Sequence, residues 1–514
     1  MLVNELLNQC KKEAIEETNN NGWNNHKFHS FLSNATQQEF LQSQIPFFYA
    51  VQAFPRALAL LASKIENSHD RLLVIENLYE EHGEGYPKKF HTETFKTFLI
   101  SLGWNSSFHK NPWIEEWIEE KLLSAYSKPH EYAAYLSGIE YAYAPISDTI
   151  SKHLNNYELI CEQKHYSNHA VLDWEHGAEL LEVAFSAKPE VNEIMNAFKK
   201  GQEDFLKLYN HILIPTSKEI AEFNKEDISF YYTRENFKPE GKAITHIGDP
   251  IEGKSRASVL MIASGGEHLI NHLALEFPFD IDAIDMNSHQ IELCKTKINK
   301  LLTNDEISNK KENHIGKFEK VFLFLREYMG NYVSMIDYDD RADEKLKFAV
   351  DVIFSNKNLS LVFGDRATQY TKKSFSEHFY NVFKTMLLHK DYNNSFNILR
   401  GDDFSYSDKI RQDLIKNYNI HTLNWINDSF ETLSVDKKYD IINISNIGDW
   451  MPLTEYRELL TKLGTHLNNN GILISRKLLG DYSLEQELRS LNYRTEAMVD
   501  ETQFYTETVI AFKN

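Results

Sequence analysis

The chain has 514 residues, of which 42% are hydrophobic and 13% aromatic, enough for about two to four domains with sizeable cores. Its 55 basic and 75 acidic residues give a net charge of −20, which disfavours nonspecific binding to nucleic acid or to anionic membrane surfaces. A globular protein that acts on small molecules fits this composition best.

Three cysteines, Cys10, Cys161 and Cys294, are widely separated and form no CxxC pair, so neither a disulfide framework nor a zinc ribbon is expected. The first residues, MLVNELLNQCKKEAIEE, lack the apolar core of a signal peptide. No run of about 18 or more apolar residues occurs. We therefore expect a cytoplasmic protein with no membrane span and no nucleic-acid partner.

The first half of the chain is predicted to be all-α, because apolar residues recur at spacings of three and four, with Gly, Pro and Asn between the segments. The predicted helices cover 4–17, 37–47, 51–64, 71–81, 92–102, 113–125, 131–154, 168–185 and 191–211. Residues 213–241 contain two prolines and lose this periodicity, which places a domain junction near residue 222. The expected domains are 1–222 and 223–514.

The predicted helix at 168–185 carries His169, Asp173 and His176 in the run HAVLDWEH. Residues at i, i+4 and i+7 lie on one face of an α-helix, so the three side chains point the same way. Imidazole nitrogens mixed with carboxylate oxygens suit iron or manganese, whereas structural zinc more often binds thiolates. A solvated helix face that happens to carry two histidines is the alternative interpretation.

Further candidate ligands lie upstream, Glu81 and His91 in ENLYEEHGEGYPKKFH and Glu140 in GIEYAYAP. Six donors from at least three helices match the way in which helical bundles hold two iron ions. Glu80 and Glu84 are close enough in sequence to compete with Glu81. His82 is expected to pack or to face solvent.

These segments, with FYAVQAFPRALALLASKI at 48–65, resemble the haem-oxygenase-like di-iron oxidases and oxygenases, relatives of the TENA/PqqC group. The resemblance implies one iron on Glu81, His91 and His169 and the other on Glu140, Asp173 and His176. It also implies two irons per chain, O2 as cosubstrate, and a substrate that is an amino acid, an amino-acid derivative or a fatty acid, of which we expect an amino-acid-like molecule. N-oxygenation, hydroxylation, desaturation and C–C cleavage all remain open, and a homodimer through the helical half is a further expectation.

After the junction, short aliphatic runs alternate with helical stretches, a pattern that predicts a doubly wound, mostly parallel α/β sheet. The predicted strands are 258–263, 280–285, 421–426, 439–445, 471–476 and 506–512. The long segment between the second and third strands is largely helical and rich in aromatic residues. It is predicted to be an inserted helical cap that shapes a substrate pocket.

The run VLMIASGGEHL places Gly265 and Gly266 directly after a strand and before a helix, and Asp285 ends the next strand. Glycines let a ligand approach the backbone, and a carboxylate at that place can accept hydrogen bonds from ribose hydroxyls. Glu267 stands where a dinucleotide-binding motif would continue with glycine. S-adenosylmethionine, which carries no phosphate, therefore fits better than NAD or FAD.

The order IASGG, DMN, WINDSF, ISNIGDWM and then Arg476 resembles the S-adenosylmethionine:diacylglycerol 3-amino-3-carboxypropyl transferases, which have a Rossmann-like methyltransferase fold. The resemblance implies these cofactor contacts: Ser264, Gly265, Gly266, Asp285, Asn287, Asn427 and Asp428. It places Ser445, Asn446 and Asp449 at the reacting end, as catalytic candidates, and pairs Arg476 with the methionine carboxylate. Glu267 and the lack of a lipid-facing stretch make a diacylglycerol acceptor unexpected.

The prediction is a bifunctional enzyme of specialised metabolism, with an all-α bundle followed by a Rossmann-like α/β domain that carries a helical insertion. It joins aminocarboxypropyl transfer from S-adenosylmethionine to di-iron, O2-dependent oxidation of the amino-acid-like product. One alternative keeps the oxidase but makes the second half a methyltransferase, or a cyclase or lyase of S-adenosylmethionine. Another makes the second half a non-catalytic nucleoside-binding module.

Overall fold

The computed structural model describes residues 23–514 except 106, 109, 125, 156–161, 187, 189, 234, 248–254, 304–315, 331–338, 390–405 and 435, together with residues 8, 12 and 16. The chain divides into two compact units, Met1–Lys218 and Glu219–Asn514. The predicted helix at 4–17, apart from its residues 8, 12 and 16, lies outside the described residues, as do Cys10 and Cys161.

Regular structure in the described part of the first unit is helical. The α-helices are α1 (Lys27–Asn34), α2 (Gln37–Gln44), α3 (Phe48–Lys64), α4 (Ser68–Glu81), α5 (His91–Ser101), α6 (Pro112–Trp117), α7 (Pro129–Leu154), α8 (Lys164–Ser186) and α9 (Val191–Ile212). The helices predicted between residues 37 and 211 are all present. The one predicted at 113–125 differs, because α6 ends at Trp117 and continues as a π-helical turn, Ile118–Leu122.

Glycines set how closely the two helices α7 and α9 pack. A Cβ at Gly138 of α7 would lie 2.1 Å from the carbonyl oxygen of Phe198, and a Cβ at Gly201 of α9 would lie 2.0 Å from the carbonyl oxygen of Tyr135. Side-chain carbons do not approach oxygen atoms so closely, so a side chain at either position would force the helices apart. The two backbones are therefore in direct contact.

Gly177 allows a similar approach between α8 and α7. A Cβ at this position would lie 2.5 Å from the ring of Tyr141 and 3.3 Å from the Cβ of Glu140. The Ser137 hydroxyl donates a hydrogen bond of 2.6 Å to the Gly177 carbonyl oxygen, which fixes the register of the two helices. Since Gly177 directly follows His176, this contact brings Glu140 of α7 next to the ligand-bearing face of α8.

Residues at the start and end of α4 explain where this helix begins and where the turn to α5 follows. Helix α4 begins after Asn67, whose side-chain oxygen accepts hydrogen bonds from two backbone N–H groups of the first turn. It ends at Glu81, and Gly83 follows with φ +56°, a conformation that glycine adopts without a steric penalty. Helix α5 then starts at His91. The turn thus places Glu81 and His91, ten positions apart in sequence, at facing helix ends.

One described stretch, Gln37–Lys64, is long and apolar enough to cross a membrane by composition, with a mean hydropathy of 1.4. Within the structure, 61% of its most apolar window is buried. A helix at the core of a helical unit has the same composition, because it too is apolar on most faces.

The second unit contains a mixed seven-stranded sheet. Its strands are β1 (Ala257–Ile262), β2 (Phe279–Ile284), β3 (Thr422–Ile426), β4 (Tyr439–Asn443), β5 (Leu467–Lys477), β6 (Tyr493–Met498) and β7 (Glu507–Lys513). Their order across the sheet is β3-β2-β1-β4-β5-β7-β6. Strand β7 is antiparallel to both of its neighbours, and the other pairs are parallel. Strand β6 was not predicted, because its sequence YRTEAM lacks an aliphatic run.

Helix α10 (Ser217–Glu222) lies at the boundary between the two units. Helices from residue 238 onward cover the sheet and fill the long segment between β2 and β3. They are α11 (Lys238–Ile247), α12 (Glu267–Leu273), α13 (Ser288–Leu302), α14 (Lys317–Met329), α15 (Asp340–Ile353), α16 (Asn356–Phe363), α17 (Arg366–Gln369), α18 (Phe375–His389), α19 (Asp408–Asn417), α20 (Leu453–His466) and α21 (Leu484–Ser490). Strand β1 packs Val259 and Met261 into the core on one face of the sheet and Leu260 into the core on the other. A strand buried on both faces is typical of parallel sheets covered by helices.

We expect Gly201→Ala to destabilise the helical unit by about 1–3 kcal/mol, because the new methyl group cannot fit against α7 without moving a helix. Thermal unfolding followed by circular dichroism measures the effect. Asn196→Ala, at an exposed position of the same helix, is the control and should leave the melting temperature nearly unchanged. Equal melting temperatures for the two variants would contradict direct backbone contact between α7 and α9.

Candidate metal centre and ligand cavity

The six predicted metal ligands converge in the first unit. Glu81 ends α4, His91 begins α5, Glu140 lies in α7, and α8 carries the other three. The exposed fractions are 5% for Glu81, 3% for Glu140, 7% for His169, 0% for Asp173 and 4% for His176. Charged side chains are rarely buried to this extent unless they are paired or bind a metal.

Glu140, Asp173 and His176 form the tightest group. One ligand atom of each lies within 4.8 Å of the others. Glu140 Oε1, Asp173 Oδ2 and His176 Nδ1 are buried and have no hydrogen-bond partner. A buried polar atom without a partner costs free energy, and a cation bound between the three atoms would remove that cost. The donor set therefore fits a metal ion.

The electrostatics of this group also indicate a cation. Burial, followed by the charge of Asp173, raises the pKa of Glu140 well above its usual range. Burial likewise raises the pKa of Asp173, with a further contribution from the charge of Glu81. Like charges held together in a buried site favour protonation, and a divalent ion reverses this preference by stabilising both carboxylates.

Glu80 fixes the orientation of the His176 ring. Its Oε2 atom lies 3.0 Å from His176 Nε2, which leaves Nδ1 facing Glu140 and Asp173. Metal-binding histidines commonly contact a carboxylate through their second nitrogen. Glu80 was considered above as an alternative metal ligand to Glu81. Its carboxylate contacts His176 instead, whereas the neighbouring Glu81 is buried.

Glu81, His91 and His169 form a more open group. Glu81 Oε1 lies 2.9 Å from His91 Nδ1, and the ring centroids of His91 and His169 are 4.7 Å apart. Burial alone would raise the pKa of Glu81, but the charge and hydrogen bond of His91 lower it below its usual range. His169 Nδ1 lies 2.7 Å from Asp173 Oδ1. Asp173 therefore links the two groups, with one oxygen facing each.

His165 is a residue of this region that was not among the predicted ligands. Its ring centroid lies 4.6 Å from that of His169, one turn along α8. Its two nitrogens face Thr94 Oγ1 at 3.1 Å and the Tyr143 hydroxyl at 3.4 Å. Burial, followed by the charges of the neighbouring histidines, lowers the pKa of His165 well below its usual value. The i, i+4 spacing to His169 is the sequence signal that could have indicated it.

A small cavity of about 40 Å³ adjoins the candidate ligands. Glu81, His91, Glu140 and His169 form part of its wall. The rest of the wall is aromatic or aliphatic, consisting of Phe47, Ala50, Val51, Phe54, Trp117, Ile139, Tyr143 and Phe205. This volume holds a few molecules of the size of water or O2. A larger substrate would require wall side chains to move.

The second unit contains a larger cavity, of about 440 Å³, at the carboxyl ends of β1, β2 and β4. Ser264, Asp285 and Ser445 follow these three strands and line the cavity. Strand β1 lies between β2 and β4, so the order of the strands reverses at β1. In open α/β sheets, ligands bind outside the carboxyl ends of the strands at such a switch point.

The chain turns sharply where β1 and β4 end. Ser264 has φ 45° and Ser445 has φ 49°, values that residues other than glycine rarely adopt. Hydrogen bonds hold both turns: the Gln290 amide donates to the Ser264 carbonyl, and the Arg476 backbone N–H donates to the Ser445 carbonyl at 2.7 Å. Such local strain clusters at binding sites, where the surrounding structure stabilises it.

Seven of the eleven residues predicted for the second site line this cavity. They are Ser264, Asp285, Asn287, Asp428, Ser445, Asn446 and Asp449. Asp285 accepts backbone N–H bonds from Ser264 at 3.2 Å and Asn287 at 2.9 Å, one on each oxygen. Each oxygen keeps a lone pair for a ligand. Burial raises the pKa of Asp285 to about 6.

The wall does not include the remaining four predicted residues, Gly265, Gly266, Asn427 and Arg476. A Cβ at Gly265 would lie 2.3 Å from the backbone nitrogen of Thr233, so this glycine is needed for packing within the protein. Gly266 has φ +94° and precedes α12. The Asn427 side chain donates to the carbonyl oxygens of Asp285 and Met286, at 3.0 and 3.1 Å, and so shapes the loop after β2.

Arg476 is 2% exposed and forms ion pairs with Glu235 at 3.0 Å and Glu240 at 2.7 Å. Its guanidinium is thus engaged by protein carboxylates. Among the described residues of the cavity wall, Arg366 is the basic one. It begins α17, which packs against the turn Ile447–Trp450 that follows β4.

The segment before β1 supplies wall residues that were not predicted. It was interpreted as a junction, yet Ser229, Phe230, Tyr232, Thr233 and Glu235 all line the cavity. Glu267 holds this segment in place, because it accepts the Thr233 N–H and pairs with Lys297 at 2.7 Å. The aromatic run FYY within an otherwise polar stretch is the signal that could have indicated burial.

The cavity has a polar and an aromatic side. The polar side is formed by the residues after β1, β2 and β4, whereas the inserted helices contribute Phe318, Leu359, Phe363, Phe375 and Phe379 to the other. Among the described residues, five acidic side chains line the wall, against the one basic residue named above; they are Glu235, Asp285, Asp428, Glu431 and Asp449. An acidic and aromatic wall favours a cationic ligand.

Residues 39–206 match the model of a protein family described as iron-containing redox enzyme. The matched stretch contains all six candidate ligands, from Glu81 to His176. The curated proteins contain no match to the chain. The family match thus lies within the helical unit, where it supports the predicted haem-oxygenase-like resemblance, and it does not extend to the second unit.

We expect about two iron ions per chain after anaerobic loading with ferrous iron, and a sharp fall in His169→Ala and Asp173→Ala, because each variant lacks one ligand. Iron content is measured by inductively coupled plasma mass spectrometry. His82→Ala is the control, since His82 is exposed and contacts the Leu78 carbonyl at 2.9 Å. Full iron content in both ligand variants would disprove the assignment.

Proposed function

We propose that the helical unit binds two iron ions and uses O2 to oxidise an amino-acid-like substrate. The convergence of three unpaired buried atoms, on Glu140, Asp173 and His176, carries this proposal. Glu81, His91 and His169 would hold the second ion, with Asp173 between the two groups. When bound, two irons supply the electrons and the charge that activate O2 for attack on C–H or N–H bonds.

The residues around these ligands exclude water and orient the donors. The aromatic wall formed by Phe47, Phe54, Trp117 and Phe205 keeps the cavity small and apolar. Such a wall protects a reactive oxidising site from solvent. Glu80 holds the ring of His176 in one orientation.

For the second unit we propose that the cavity at the switch point binds S-adenosylmethionine. Asp285 would accept hydrogen bonds from both ribose hydroxyls through its free lone pairs, and Asp428, which also lines the cavity, would contact the adenine. The acidic wall favours a sulfonium cation and disfavours the pyrophosphate of NAD or FAD. The cavity lies at the carboxyl ends of β1, β2 and β4, at the switch point of the strand order, where open α/β sheets bind nucleoside ligands.

The proposed reaction is transfer of the 3-amino-3-carboxypropyl group. The nucleophilic atom of the acceptor forms a bond to Cγ while the Cγ–S bond breaks. The electron pair of the broken bond stays on sulfur, which neutralises the sulfonium and releases methylthioadenosine. The acceptor loses one proton. Arg366 replaces Arg476 in this proposal as the partner of the methionine carboxylate, because it lies in the wall and has no protein carboxylate paired with it among the described residues.

Product analysis distinguishes this reaction from its alternatives. Purified full-length protein is incubated with S-adenosylmethionine and candidate amines, and the products are identified by mass spectrometry. Methylthioadenosine together with an aminocarboxypropylated amine supports the proposal, whereas methylthioadenosine without that adduct indicates cyclisation or lysis. S-adenosylhomocysteine indicates methyl transfer, and the absence of any product indicates a binding module.

Asp285→Ala should weaken binding of S-adenosylmethionine by roughly 10- to 150-fold, about 1.5–3 kcal/mol, because two ribose hydroxyls lose their acceptor. Isothermal titration calorimetry measures the affinity. Asp280→Ala removes a carboxylate from the other end of the same strand, paired with Arg256 at 2.9 Å, and should leave the affinity unchanged. Unchanged affinity in Asp285→Ala as well would exclude this loop as the nucleoside site.

Arg366→Ala should lower the affinity for S-adenosylmethionine about tenfold, because a charge-assisted pair with the carboxylate is lost. The matched probe is decarboxylated S-adenosylmethionine, which keeps the amino group and lacks the carboxylate. Its affinity, measured by the same calorimetry, should not change. An equal loss for both probes would mean that Arg366 does not bind the carboxylate.

A further inference from the structure

Glu235 is a buried carboxylate in the wall of the large cavity, and its side chain is 3% exposed. Four groups of the protein donate to it. Oε1 accepts hydrogen bonds from the hydroxyls of Ser445 and Tyr505, the latter at 2.9 Å. Oε2 lies 2.7 Å from His268 Nε2 and 3.0 Å from Arg476. Both oxygens are therefore fully engaged.

These contacts fix the direction of two hydroxyl groups that also line the cavity, those of Ser445 and Tyr505. A hydroxyl has one hydrogen and two lone pairs. The hydrogens of both groups point to Glu235, which for Ser445 is a closer acceptor than Asn446 Oδ1 at 3.4 Å. Only lone pairs remain for a ligand, so this part of the wall accepts hydrogen bonds and cannot donate them.

The surrounding charges keep Glu235 ionised. Burial alone would raise its pKa, but Arg476 and the hydrogen bond from His268 lower the pKa of Glu235 to about 2. Arg476 is in turn held by Glu240, which also accepts a hydrogen bond from Asn443 at 2.8 Å. The hydroxyl orientation is thus maintained by a rigid, buried network of charges.

Glu235, Glu240 and His268 could also be considered as a metal site, since one ligand atom of each lies within 4.8 Å of the others. Glu240 Oε2 and His268 Nδ1 lack hydrogen-bond partners. However, the guanidinium of Arg476 contacts both carboxylates and already supplies the positive charge between them. A second cation there would be repelled at short range.

We propose that the hydroxyl pair of Ser445 and Tyr505, oriented by Glu235, binds the protonated amino group of the ligand's amino-acid portion. An ammonium group has only donors, which matches two hydroxyls that can only accept. The inference rests on the proposed binding of S-adenosylmethionine. Ser445 follows β4 and Asp285 follows β2, two strands away, a separation of about 10 Å that the extended arm of the cofactor can span.

Glu235 is a positioning residue in this proposal, because it acts through the two hydroxyls. In Glu235→Gln the side chain keeps a similar shape, but Arg476 still needs an acceptor, so the amide NH2 would face Ser445 and Tyr505 and turn their hydroxyl hydrogens toward the cavity. S-adenosylhomocysteine, which carries the amino group, should bind about tenfold or more weakly to this variant. Methylthioadenosine, which lacks the amino-acid portion, should bind with unchanged affinity.

The experiment is calorimetric titration of full-length wild type, Glu235→Gln and Tyr505→Phe with both probes. Tyr505→Phe removes one acceptor and leaves the charged groups unchanged, so it should show the same selective loss. It also tests the inference if Glu235→Gln does not fold. In either variant, affinity for decarboxylated S-adenosylmethionine should fall as well, which separates the amino-group contact from that of Arg366 with the carboxylate.

Equal losses for S-adenosylhomocysteine and methylthioadenosine would show a general structural role and overturn the inference. Unchanged binding of both probes in folded variants would overturn it too, since the amino group would then bind elsewhere. Failure of the wild type to bind either probe is a different result, because it would reject the nucleoside site itself and this inference with it.

Discussion

The close packing of helices α7, α8 and α9 determines the geometry of the candidate metal centre. Helices α7 and α9 touch at Gly138 and Gly201, and α8 meets α7 at Gly177. Because Gly177 adjoins His176, this contact also sets the distance from Glu140 to the ligands of α8. A side chain at Gly177 would push α8 away from α7, and the Glu140 carboxylate would no longer lie beside the imidazole of His176.

Helical spacing was sufficient to predict that His169, Asp173 and His176 share one face of α8, because that relation is local. The meeting of Glu140 with this face depends on tertiary contact, which spacing does not encode. Aliphatic runs likewise predicted six strands and missed the polar edge strand β6. The wall residues at 229–235 lie in a segment without periodicity, and the ion pairs that engage Arg476 join it to carboxylates that only the folded chain brings together.

The two units use buried carboxylates in opposite ways. In the helical unit, Glu140 and Asp173 each keep an unpaired oxygen, so their charge is available to an ion that the protein does not itself provide. In the second unit, both oxygens of Glu235 are occupied by donors of the protein, among them the hydroxyls of Ser445 and Tyr505. An unpaired carboxylate is available for coordination, whereas one whose oxygens are both occupied can orient the groups that donate to it.

The antiparallel direction of β7 has a consequence for how the second cavity is assembled during synthesis. Because β7 runs against its neighbours, its beginning lies at the edge where the parallel strands end, and Tyr505, just before it, reaches Glu235. These two residues are 270 positions apart in sequence. Contacts of such long sequence separation form late in folding. The cavity can therefore close only after nearly the whole unit has left the ribosome, and until then its charged network lacks one of its donors.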